Sequence, residues 1–91
     1  MYQITNYSYL KAKQLDVDIY PSNRKNKKID VYKDGKYICS IGDNRYLDFP
    51  NFAKLYGLPY AIKKKELYLL RHHKDVNNIG TAGYYAYHIL W

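Results

Sequence analysis

The sequence predicts an α+β domain, a small antiparallel sheet built on a β-hairpin and packed against two to three short helices. Three stretches predict it. Residues 29–41, IDVYKDGKYICSI, place β-branched and aromatic residues on both sides of Asp34-Gly35, and that dipeptide supplies the positive φ values of a two-residue type I′ turn. Residues 58–76, LPYAIKKKELYLLRHHKDV, have helical periodicity. Residues 83–91, GYYAYHILW, are apolar on nearly every side, so they must be buried in this chain or in a partner.

Taken in order, residues 2–15 admit two readings. Tyr2 and Ile4 alternate as in a strand, whereas SYLKAKQL accepts a short helix capped by Asn6 or Ser8, and the helix is preferred. Val17 and Ile19 alternate with Asp16 and Asp18 as in a half-buried strand that Pro21 stops. Residues 22–28, SNRKNKK, carry four cations and no apolar side chain, so they read as a loop: either an arm touching phosphates or a solvated turn.

In the hairpin, a two-residue turn sets Tyr32 opposite Tyr37 and Val31 opposite Ile38. One face then carries Ile29, Val31 and Ile38, and the other Tyr32, Tyr37, Cys39 and Ile41. Cys39, the only cysteine, reads as a small buried hydrophobe, and its solitude excludes an intramolecular disulfide and a multi-cysteine zinc site. Asp48 caps a helix with Pro50 in its first turn and Gly57 at its end, turning Phe52, Leu55 and Tyr56 inward.

Pro59 opens the longest helix, which ends near Asp75. On its wheel Ile62, Leu69, Leu70 and His73 form an apolar edge, while Lys63, Lys64, Arg71 and Lys74 fall within roughly 100° of one another on a positive edge. Thr81 caps the final helix, Gly83 permits a close approach, and Trp91 is expected to be docked, since an exposed tryptophan is an adhesive patch. The 91 residues thus form a single domain, 1–91, with strands over 17–41 and helices over 50–90.

Fifteen Lys and Arg against eight Asp and Glu give a net charge of +7 and an isoelectric point near 9.4, a balance that favours polyanions. Twelve of the cations are lysines, which suit point contacts with phosphates better than bidentate reading of guanine. The thirteen tyrosines suit the core boundary, interfaces and base stacking. No apolar run approaches the ~20 residues of a membrane span, and the opening MYQITNYSY lacks a signal-peptide profile. The expected location is the interior of a cell.

The blocks KKIDVY, DGKYICSIG, YLDFP, LRHHKD and GTAGYYAYHILW together resemble a family of small uncharacterised proteins of large double-stranded DNA viruses, including giant viruses of protists, and of some phages. The likeness runs over roughly residues 17–91. It implies a viral source, with the host cytoplasm or nucleus, or the virion, as location; the family has no established activity. Relatives tend to carry paired arginines where this chain has Lys63-Lys64-Lys65, a change that keeps charge and loses planar bidentate geometry.

Three functional readings follow. The first is non-enzymatic binding of nucleic acid, DNA or RNA, with little base reading. Arg24, Lys25, Lys27, Lys28, Lys63, Lys64, Arg71 and Lys74 meet phosphates, and Tyr32, Tyr37 and Tyr46 are available for stacking. The second is a virion structural protein, a minor capsid, cement or assembly component that docks on virion protein through its tyrosines. The third is a metal-dependent nuclease. His72, His73, Asp75 and His88 are the metal-ligand candidates, yet the two adjacent histidines end a helix rather than occupying the strand such a site needs. His73 then reads as a boundary residue and His72 as a cation at a helix C-terminus. Paired acids of glycosidase type, a phosphate-cradling glycine loop and a Ser-His-Asp set are missing. No cofactor, membrane or small-molecule substrate is indicated.

Overall fold

A computed structural model describes residues 1–91. The expected α+β class is observed: α1 (Asn6–Gln14), β1 (Asp18–Pro21), β2 (Lys27–Lys33), β3 (Lys36–Asp43), α2 (Phe49–Tyr56), α3 (Leu58–Val76) and α4 (Ala82–Leu90). The strands form one antiparallel sheet in the order β1-β2-β3. Pro21, expected to stop β1, closes it instead, which an edge strand tolerates because no ladder bond needs its missing N–H.

The turn is as predicted. Asp34 has φ 52° and Gly35 φ 78°, and Tyr32 pairs with Tyr37. Beyond that pair the register departs from the expectation, because a bulge between Val31 and Tyr32 sets Val31 opposite Cys39 rather than Ile38. Ile38 is the extra residue and is exposed. The slip gathers Ile29, Val31, Cys39 and Ile41, with Ile19 of β1, on one face, where a plain ladder would have divided them. The other face holds Tyr20, Tyr32 and Tyr37 in consecutive edge-to-face contacts at 5.4 and 5.7 Å.

Helices α1 and α4 cover the inner face. Its core joins Ala12, Val17, Ile19, Ile29, Val31 and Ile41 to Tyr85, Ile89 and Leu90 of α4. α1 is a full helix, and its cap is Thr5, not Asn6 or Ser8: Thr5 Oγ1 accepts from the Ser8 amide at 3.2 Å. Freed from capping, the buried Ser8 hydroxyl donates to the Ile89 carbonyl at 2.9 Å and ties α1 to α4. Thr81 caps α4 as expected. A Cβ on Gly83 would lie 2.5 Å from Asp75 Cβ, so the missing side chain sets how closely α3 and α4 pack.

The long helix is rotated relative to its apolar periodicity. Ala61, Lys64, Lys65, Tyr68 and His72 are its covered side, whereas Ile62, Leu69, Leu70 and His73 are exposed. Leu55 and Tyr56 of α2, expected inside, are also exposed, and only Phe52 of the predicted trio turns in. The reason lies in the partners α3 meets. Ala61, fully buried, lets α2 approach, and the lysine ammonium groups lie over rings: Lys64 Nζ over Phe52 and Tyr60 at 5.8 and 5.4 Å, Lys65 Nζ over Phe49 and Tyr87 at 5.4 and 5.6 Å. An aliphatic stem with a cation at its tip covers an aromatic surface as well as a leucine does and keeps its charge near water.

Candidate nucleic-acid interface

A cleft of about 920 Å³ lies between α3, the β2-β3 end of the sheet, the turn before α2 and the end of α4. Helix α3 lends it Lys64, Tyr68, Arg71 and His72, strand β2 lends Lys27, the turn lends Tyr46 and Leu47, and the chain end lends Trp91. The side chains at 64, 68, 71 and 72 converge because positions three and four apart share a helix face.

A column of rings forms one wall. His72 stacks on Tyr68 at 4.3 Å with 27° between planes, Tyr68 on Trp91 at 4.6 Å and 16°, and Trp91 leans on Phe52 at 6.0 Å. Burial and the nearby Asp75 carboxylate push the Tyr68 hydroxyl above its ordinary pKa, with Arg71 opposing them, so Tyr68 presents a neutral ring at any physiological pH. The helix is irregular at His72 (φ −122°, ψ 21°). There the His73 ring bonds through Nδ1 to the Leu70 carbonyl at 3.3 Å, intruding on the i→i−4 ladder in a way that bends helices.

The floor holds the most heavily protected charges in the chain. Lys28, read from the sequence as part of a loop that is either an arm touching phosphates or a solvated turn, is 4% exposed and donates through Nζ to Asp48 Oδ2 at 2.8 Å. Asp48, 1% exposed, takes a second bond on that oxygen from the Tyr2 hydroxyl at 2.7 Å, while Asn51 donates to Oδ1 through Nδ2 and its amide at 2.8 and 3.3 Å. Desolvation, then the bond to Asp48, raises the Tyr2 pKa strongly. Room for the Lys28 stem comes from Gly42 across the ladder: a Cβ there would stand 2.8 Å from Leu90 Cδ1 and 2.9 Å from Lys28 Cδ. Lys28 is therefore a structural cation, corrected from its expected role at phosphates. The capping role expected for Asp48 holds, and its second role as an ion-pair partner was not foreseen.

The remaining predicted residues scatter. Lys27, Lys64 and Arg71 line the cleft together, whereas Lys63 and Lys74 are exposed on α3 away from it. Lys25 is exposed in the β1-β2 turn, and Arg24 lies 4.6 Å over the Tyr37 ring on the open sheet face, 4.0 Å from Asp30. Tyr32 and Tyr37 are committed to that same face, and Tyr37 shares a 2.8 Å hydrogen bond with Ser40, which donates to Asp30 at 2.6 Å. Tyr46 stands at the cleft rim, 68% exposed, with the Arg45 guanidinium 5.9 Å from its ring. Arg45 is held by Asp43 at 2.6 Å, and that pairing pulls the Asp43 carboxyl down to about 2.

The metal-ligand candidates do not converge. No group of three His, Cys, Asp or Glu side chains is placed to hold an ion. His72 approaches Asp75 at 3.5 Å, His88 bonds through Nε2 to the Val76 carbonyl at 3.1 Å, and His73 points to Leu70. Cys39 is half-buried with its thiol pushed up by burial, which disfavours the nucleophilic thiolate.

Sequence reasoning missed Tyr68, Leu47 and Trp91 as cleft residues. The 61-64-65-68-72 spacing was the available signal for Tyr68, and the weight given to leucines over aromatic-covering lysines hid it. No helix is long and apolar enough to cross a membrane. Searches of family models, of curated proteins and of solved structures give no match to this chain.

Proposed function

We propose that the protein binds nucleic acid without catalysing a reaction on it, through lysine and arginine contacts to phosphates around the α3 cleft and with little base reading. The observation that carries the reading is the meeting of Lys27, Lys64 and Arg71 from separate parts of the chain at one aromatic-walled cleft. Of the acids nearby, Asp43 is paired with Arg45 and Asp48 with Lys28, which leaves Lys27, Lys64 and Arg71 against Asp75, 3.5 Å from His72, and a local excess of positive charge. Four of the remaining acids, Asp16, Asp18, Asp30 and Asp34, lie on β1, on β2 or in the turns next to them, which directs a polyanion away from the open sheet face.

The test is fluorescence anisotropy of labelled oligonucleotides at low and physiological salt. Affinity should fall steeply with salt, with a log-log slope that shrinks by ~1 for each of Lys27, Lys64 and Arg71 changed to Gln. Slopes unchanged in all three variants refute the assignment.

A second reading, a component of a protein assembly such as a virion, is favoured by the exposed apolar side chains of α2 and the start of α3, where Leu55, Leu58 and Ile62 face solvent. A patch of this kind marks interaction surfaces. Sedimentation velocity over a concentration series tests it directly, with Ile62→Lys as the variant expected to abolish any self-association.

A further inference from the structure

Resting on the phosphate-binding reading, we infer that the cleft takes single-stranded rather than duplex nucleic acid, with an unstacked base lodged against Tyr46 and the Trp91 end of the ring column. Two observations point there. The cleft is about 920 Å³, within the range of roughly 300–1,000 Å³ that accommodates small organic groups and therefore of a size for a base with its sugar.

Its charge and its rings occupy the same space: Lys27, Lys64 and Arg71 share the lining with Tyr46, Tyr68 and Trp91. A duplex offers phosphates outward but covers the faces of its bases in its own stack, leaving the rings nothing to meet. A single strand offers both groups at once, and aromatic platforms beside a cationic groove are the way proteins bind one. Tyr46 is the most exposed ring in the cleft; its hydroxyl takes no hydrogen bond and its ring no aromatic partner, and the Arg45 guanidinium lies over the ring at 5.9 Å.

Trp91 is the only tryptophan and lines the cleft, so its emission reports changes at that end of it. The experiment titrates the protein with oligothymidylate, with oligouridylate and with a DNA duplex of equal length, reading anisotropy and Trp91 emission together at low and physiological salt. Either single strand, bound at least about tenfold more tightly than the duplex and quenching Trp91 with the midpoint seen by anisotropy, is the expected result. Tyr46→Ala, a change at an exposed site, should weaken single-strand binding about tenfold and leave the far-ultraviolet circular dichroism unaltered. Duplex affinity equal to that of the single strands, or a bound strand that leaves Trp91 emission unmoved, overturns the inference while leaving phosphate binding intact. Absence of binding to all three probes overturns both.

Discussion

The buried pair of Lys28 and Asp48 gives the sharpest test of how this fold is held together. Asp48→Asn keeps the size of the side chain and a good capping residue while removing the negative charge. Lys28 then has no hydrogen-bond acceptor of opposite charge, since Asp48 Oδ2 at 2.8 Å is the one its ammonium uses and its other close neighbour is the Tyr2 ring at 5.3 Å. Stripping one member from a buried ion pair costs ~3–5 kcal/mol, a large part of the ~5–14 kcal/mol expected for a chain of this length. Lys28→Met should cost less, ~2 kcal/mol, because the Asp48 carboxylate keeps Tyr2 Oη, Asn51 Nδ2 and the Asn51 amide as donors.

The diagnostic variant is the double one. Adding Lys28→Met to Asp48→Asn removes the orphaned cation, so the double variant should be more stable than Asp48→Asn alone by ~1–3 kcal/mol, the reverse of additivity. Urea unfolding followed by circular dichroism measures all three against the parent. A double variant less stable than Asp48→Asn, or an Asp48→Asn protein within ~1 kcal/mol of the parent, refutes the account of a buried, charge-dependent pair.

Further expectations rest on single contacts. Gly83→Ala should destabilise by ~1–3 kcal/mol in thermal unfolding, because the new methyl meets the Asp75 side chain at 2.5 Å. Ile89→Ala, at a position with no exposed surface, should cost ~2–5 kcal/mol, whereas Leu70→Lys, at a site 73% exposed, should change stability by no more than ~0.5 kcal/mol. In an NMR titration Asp43 should lose its charge at about 2 and return to the ordinary carboxylate range in Arg45→Ala. Its folded pKa is depressed, so the stabilisation from the Asp43–Arg45 pair is complete above the ordinary carboxylate range and disappears as pH falls toward 2.

The parts of this fold that were legible in the sequence are those decided by a few adjacent residues. Asp34-Gly35 forces its turn, Asp48 with Pro50 and Thr81 start their helices, and Gly57 separates α2 from α3. Each of these is a backbone constraint that neighbours alone satisfy. The β-bulge was not legible because a turn fixes only the pairs next to it. Ile38 and Cys39 are both acceptable in a strand, and only the need to bring Ile41 over Ile29 beneath α4 selects which one is left out. The Lys28–Asp48 pair was hidden for a related reason: its members stand 20 residues apart, and nothing local distinguishes Lys28 from the exposed Lys27 beside it.

The rotation of α3 is the most instructive failure, since there a strong local signal pointed the wrong way. Periodicity arguments treat leucine as inward and lysine as outward, an assumption that works when a helix packs on aliphatic side chains. Here α3 packs on rings, with Phe49 and Phe52 from α2 and Tyr87 and Trp91 from α4 and the chain end beneath it. A ring face is the one apolar surface that attracts a cation, so Lys64 and Lys65 gain by lying on it, and Ile62, Leu69 and Leu70 are left on the solvent side. The abundance of aromatic residues, a compositional fact with no position attached, therefore overrides the positional signal. The same preference brings cations and rings together along the covered side of α3, and the cleft that holds Lys64, Arg71, Tyr68 and Trp91 is its direct consequence.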